Sequence, residues 1–132
     1  MSALVVDASA IVESLVDNRG LRAQVRKATV DRELHAPEII DVEVLSALAR
    51  MERAGSVTAK VATDATWMWT LTPLILHSGR DLVAEVWRTR GSLRISDAFY
   101  LALARGMGMP LVTCDGRLAR APHPGVTVTL IS

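Results

Sequence analysis

Apolar residues along the chain fall into two kinds of pattern, and the two alternate. Ala3 to Val6 is a short β-favouring run that stops sharply at Asp7, as a strand buried on both faces does. Ala10, Ile11, Ser14 and Leu15 then share one helical face, with Glu13 and Asp17 outside it and Asn18-Arg19-Gly20 as a stop. Leu21 to Val30 reads as a second short helix. Leu34-His35-Ala36 is a short strand, after which Pro37 opens a helix in its first turn. Ile39, Val42, Leu45 and Ala49 give the stretch from Glu38 to Ala54 a helical period, closed by Gly55. Thr58 to Leu71 is a further helix, broken by Pro73, and Leu74-Ile75-Leu76 is a very short strand or buried loop. Arg80 to Thr89 is helical again. Ser96 serves as N-cap for a helix from Asp97 to Arg105, ended by Gly106 and Gly108. Leu111-Val112-Thr113 is a strand, Arg117 to Ala121 a brief helical turn, and Val126 to Ile131 a last strand.

Strands that alternate with helices predict a parallel sheet covered on both faces, with ligands at the carboxyl ends of its strands. The 132 residues fit one domain, 1–132, and half of them are hydrophobic, enough for a core. One cysteine, Cys114, excludes an internal disulfide framework and a cysteine-rich zinc module. No apolar run approaches the ~20 residues that cross a bilayer. The N-terminus lacks a basic n-region and a long apolar h-region, so a soluble, cytoplasmic protein is expected. The net charge of +1 excludes a global basic field.

Chemistry enters with the acids. Asp7 directly follows the first strand, and Asp115 lies two residues beyond the strand that ends at Thr113. Both therefore sit where a doubly wound sheet opens its cleft. Glu43 and Asp97 each lie on a helix among apolar neighbours, facing solvent or partly buried beside a positive charge. Four carboxylates packed together repel one another, and neither Lys27 nor Lys60 is placed to neutralise them. A hard divalent cation would, and all-oxygen ligation suits Mg2+ or Mn2+. His35, His77 and His123 have no metal-ligand spacing and read as surface or edge residues.

Three segments together resemble the PIN-domain family, and within it the VapC-type toxin ribonucleases of bacterial type II toxin–antitoxin pairs. They are Leu4-Val5-Val6-Asp7-Ala8-Ser9, Pro37 through Glu43 to Leu48, and Ser96-Asp97-Ala98-Phe99-Tyr100 running on to Thr113-Cys114-Asp115. The third is the most specific: an Asp opens an Ala/Leu-rich helix, and an apolar strand ends in Thr-x-Asp with Asp115 18 residues after Asp97. The resemblance covers essentially the whole chain. It implies an α/β fold, a PIN-like three-layer α/β/α sandwich around a small central parallel sheet. It implies a metal-dependent endoribonuclease that hydrolyses RNA phosphodiesters with Mg2+ or Mn2+. Asp7, Glu43, Asp97 and Asp115 would be its catalytic acids. Asp7 and Asp97 would bind the metal directly, Asp115 directly or through water, and Glu43 would orient or deprotonate a metal-bound water. Ser9 and Thr113 would be supporting hydroxyls. The chain departs from fuller members by having Gly116, Arg117 and Leu118 where some carry a further acid, which counts against a second tightly held ion.

Asp41 competes with Glu43 for the same role, but residues two apart on a helix point in nearly opposite directions. The match to Val44-Leu45-Ser46-Ala47-Leu48 favours Glu43. The resemblance also implies partners: an RNA substrate, a cognate VapB-type antitoxin, a homodimer and a toxin–antitoxin hetero-oligomer, and no membrane. Clustered carboxylates are a natural receptor for an antitoxin arginine. Trp67, Met68 and Trp69 read as core or partner interface, Arg80, Arg88, Arg90 and Arg94 as solvated, and Cys114 as a small buried hydrophobe. Two alternatives stand beside this reading. One is another Asp-dependent phosphate hydrolase, which Asp7-Ala8-Ser9 fits poorly. The other is a non-catalytic RNA- or protein-binding module of the same fold, which need not keep the four acids.

Overall fold

A computed structural model describes residues 2–132. The strands are β1 (Ala3–Val6), β2 (Glu33–Pro37), β3 (Ile75–His77), β4 (Leu111–Thr113) and β5 (Val128–Leu130). They form one sheet in the order β3-β2-β1-β4-β5, every neighbouring pair parallel. The helices are α1 (Ala8–Val16), α2 (Arg22–Thr29), α3 (Ile40–Arg53), α4 (Ala59–Thr70), α5 (Val83–Arg88), α6 (Ile95–Met107) and α7 (Gly116–Arg120). A 3-10 turn over Gly79–Leu82 leads into α5. α1 packs on α2, α3 and α4, while α6 packs on β1, β2, β4 and α5. The expected α/β/α layering is therefore present.

Leu4, Val5, Val6 and Leu111 are fully buried, as a covered parallel sheet requires of its central strands. Leu101 of α6 is buried with them. The strand order reverses at β1, which pairs with β2 on one side and β4 on the other. That reversal opens a crevice past the carboxyl ends of β1 and β4.

Several expectations are corrected in detail. Pro37 does not open a helix; it ends β2 in register with His77, and α3 starts at Ile40 after a turn. A proline lacks an N–H, and Pro37 lies beyond the register of β2 with β1, which runs only to His35. Ser96 is not an N-cap: α6 starts at Ile95, with Arg94 in the cap position and no side-chain capping bond. Gly106 stays helical, and Gly108 alone terminates α6, in the left-handed conformation (φ 65°) that glycine adopts without strain. The final strand is shorter than Val126 to Ile131.

His35 is buried rather than an edge residue. Its Nδ1 lies 2.8 Å from Nε2 of His77 and its Nε2 lies 2.7 Å from Glu33 Oε1. The two imidazoles stack with centroids 5.1 Å apart. Trp69 is core and donates from Nε1 to Asp41 Oδ1 at 2.7 Å, whereas Trp67 on the same helix is 69% exposed. Leu101→Ala is expected to cost about 2–5 kcal/mol in urea unfolding, and Trp67→Ala under about 0.5 kcal/mol. Equal losses would contradict this placement of the core.

Candidate active site

Asp7, Glu43, Asp97 and Asp115 all line one cleft of about 420 Å³ at the carboxyl edge of the sheet, with Ser9 beside them. Topology explains the convergence. In a parallel sheet a helix that directly follows a strand begins at this edge, and the start of α6, which leads back into β4, lines the same cleft. Asp7 is the N-cap of α1 and Asp115 the N-cap of α7, while Glu43 and Asp97 lie in the first turns of α3 and α6. The positive ends of these helix dipoles temper the repulsion among the carboxylates.

Asp7 is the most constrained of the four. It is buried, yet only neutral donors reach it. Ser9 Oγ donates to its Oδ1 at 2.7 Å, the Ala10 N–H to the same oxygen at 3.3 Å, and Thr113 Oγ1 to its Oδ2 at 2.9 Å. Burial outweighs these bonds and pushes its pKa up to about 6. The two hydroxyls also bridge to the β4 side of the crevice. Ser9 Oγ accepts from the Cys114 N–H and Thr113 Oγ1 from the Asp115 N–H, each at 2.9 Å. One network thus fixes Asp7 relative to Asp115.

Asp97 is buried and Asp115 half-buried, and both have a partner the sequence reading missed. Arg117 Nη1 lies 2.5 Å from Asp97 Oδ2, and its Nη2 lies 3.3 Å from Asp97 Oδ1 and 2.8 Å from Asp115 Oδ2. No lysine neutralises the acids, as expected, but an arginine pairs with two of them. Arg117 stands two residues beyond a helix-capping Asp, and that spacing was the available signal. Glu43 faces the cleft, and Asp41 turns away to Trp69. The Tyr100 hydroxyl is buried beside Glu43 and Asp7 without a well-formed partner. Burial and the adjacent carboxylates raise its pKa, so it stays a phenol with a proton to donate.

Glu13 was also misread. It is buried, and its carboxylate accepts from the N–H groups of Arg19 (2.8 Å) and Leu21 (3.1 Å), shaping the turn after α1. Arg19 then reaches the Cys114 carbonyl at 2.7 Å and lines the cleft with Arg50, Arg94 and Arg117. Cys114 is buried and its thiol pushed up to about 11, a packing residue and not a nucleophile.

The all-oxygen donor set and the uncompensated Asp7 charge fit a hard divalent cation. Among the described residues, no three acidic, histidine or cysteine side chains stand within joint reach of one ion. The carboxylates share a cleft but do not form a finished cage.

The PIN domain sequence profile matches residues 4–124. The chain belongs to the PIN-domain family, and to the VapC type within it. It is 42% identical to Ribonuclease VapC3 of Mycobacterium tuberculosis over 118 residues, 89% of this chain and 86% of that protein. Two solved structures share the fold. VapBC2 from Rickettsia felis, bound to a promoter DNA fragment, superposes with a TM-score of 0.64 at 11% identity, covering 98% of this chain and 99% of that one. Mycobacterium tuberculosis VapC20, described as a sarcin–ricin loop cleaving toxin, superposes with a TM-score of 0.65 at 16% identity, covering 94% of this chain and 98% of that one.

The Asp7 environment makes a stability prediction. Its folded pKa is raised from 3.8 to about 6, so the stabilising preference for the protonated form is complete below about 3.8. It is lost as pH rises through about 6, leaving a penalty of about 3 kcal/mol at neutral pH. Asp7→Asn keeps the size and the Oδ1 acceptor without the charge, and its amide NH2 requires the Thr113 hydroxyl to turn and accept. In EDTA at pH 8 it should melt higher than the parent protein, and the gap should close as pH falls from about 6 towards 4. A gap independent of pH would refute the assignment.

Proposed function

We propose that the protein is the toxin of a VapBC-type toxin–antitoxin pair, a cytoplasmic endoribonuclease that hydrolyses RNA phosphodiesters with Mg2+ or Mn2+. The observation that carries this reading is the meeting of Asp7, Glu43, Asp97 and Asp115 in one cleft, in a chain 42% identical to a ribonuclease. No helix among the described residues is long and apolar enough to cross a membrane.

Asp7, Asp97 and Asp115 would hold the cation. When bound, the cation supplies positive charge for the phosphate oxygens and acidity for an attacking water. Glu43 accepts a proton from that water or holds it in line, and the Tyr100 hydroxyl donates to Glu43 or to water beside it. Ser9 and Thr113 keep the Asp7 carboxylate aimed. Arg19, Arg50 and Arg94 at the cleft supply charge for the neighbouring phosphates. The same acids are a receptor for an antitoxin arginine. Val42, Leu45, Trp67, Leu71 and Leu76 are exposed apolar residues on α3, on α4 and the residue that caps its end, and on β3, suited to burial against an antitoxin or a second copy in a homodimer.

The test is cleavage of a mixed RNA pool by antitoxin-free protein, with Mg2+ or with EDTA. Cutting should require the metal, and should fall by about a hundredfold or more in Asp97→Ala and Glu43→Gln. Cutting that survives EDTA, or persists in both variants, would overturn the acidic-site nuclease reading.

A further inference from the structure

We propose that Arg117 is a built-in counter-cation that competes with the divalent ion for Asp97 and Asp115, so that metal enters this site by displacing a guanidinium. The inference rests on the metal-dependent reading above and adds to it the residue that sets how tightly the ion is held.

Three observations carry it. First, Arg117 and the start of α7 occupy every carboxylate oxygen of the pair. The guanidinium takes both oxygens of Asp97 at 2.5 and 3.3 Å, and Oδ2 of Asp115 at 2.8 Å. Asp115 Oδ1 accepts the backbone N–H groups of Arg117 and Leu118 at 2.9 and 3.4 Å. Second, among the described residues Asp7 in the same cleft has no cationic partner, and its donors are Ser9, Thr113 and the Ala10 N–H. The ion-paired cation thus serves Asp97 and Asp115 and not Asp7. Third, the same Nη2 of Arg117 bonds Asp97 Oδ1 and Asp115 Oδ2, so the guanidinium sits between the two carboxylates, where an ion shared by them would have to go.

Arg117 can give way. Its side chain is 44% exposed, while that of Asp97 is 9% exposed, so the mobile partner of the pair is the arginine. Arg117 also belongs to the short α7, whose first turn is held by the Asp115 cap through the backbone and does not depend on the guanidinium. The side chain can swing to solvent, or to a substrate phosphate, without unwinding the element that carries it.

The experiment measures Mn2+ binding by calorimetry on EDTA-stripped, antitoxin-free protein, together with melting with and without Mn2+. Arg117→Gln should bind Mn2+ about three- to tenfold more tightly than the parent, the size expected for release of two ion pairs whose arginine is partly exposed. Its metal-free form should melt lower, because Asp97 loses its partner, and Mn2+ should raise its midpoint by more than it raises the parent's. Arg117→Lys keeps a charge without the fork and should fall between the two. A merely structural arginine would lower the metal-free midpoint and leave Mn2+ affinity unchanged or weaker, which overturns the inference while leaving the nuclease reading intact. Absence of Mn2+ binding in parent and variants alike overturns both.

Discussion

The structure is organised around the cost of burying one carboxylate. Asp7 stands at the end of the central strand, where the sheet order reverses, and it is enclosed by protein on nearly every side. A charge in that position is tolerable only if dipoles and donors are aimed at it. The N-terminus of α1, two hydroxyls and a backbone N–H are so aimed, and they come from both sides of the crevice. The same bonds that solvate Asp7 therefore tie β1 to β4. They fall short of full compensation, as the elevated pKa of Asp7 records. A site left short of positive charge is poised to accept it.

Charge around the cleft is divided by the fold, not by composition. The chain as a whole is nearly neutral, yet its acids gather where helices begin and four arginines line the same cleft. The acids are there because parallel topology brings helix N-termini to one edge. An anionic backbone cannot approach clustered carboxylates without cations alongside, so both signs are needed within one opening. Arg117 differs from Arg50 and Arg94 in kind: it is inserted between two of the acids, whereas they stand at the cleft without ion pairs among the described residues.

Local order was readable because its causes are local. The β-favouring run ending at Asp7, the apolar strand ending at Thr113, and the helical periods between them depend on residues a few positions apart. Once strands and helices alternate, the edge on which Asp7 and Asp115 fall follows from topology. Helical geometry let only one of Asp41 and Glu43 face the cleft, the resemblance over Val44 to Leu48 favoured Glu43, and Asp41 turns to Trp69. Element ends were less secure. Pro37 and Ser96 have good local reasons to start helices, yet the register of β2 with β3 claims Pro37, and α6 begins upstream of Ser96.

The sequence by itself determined the order of elements, the parallel sheet and the edge where the acids lie, since each is set by periodicity and chain connectivity. Only the tertiary structure decided which charges meet. The pairing of Arg117 with Asp97 joins residues 20 positions apart, and Thr113 reaches Asp7 across 106. Glu13 looked solvent-facing from its helical position but folds inward because the following turn offers two unpaired N–H groups. His35 looked like an edge residue but is enclosed because β3 brings His77 against it. Such pairings depend on distances in space between side chains whose positions the helical and strand periods leave free.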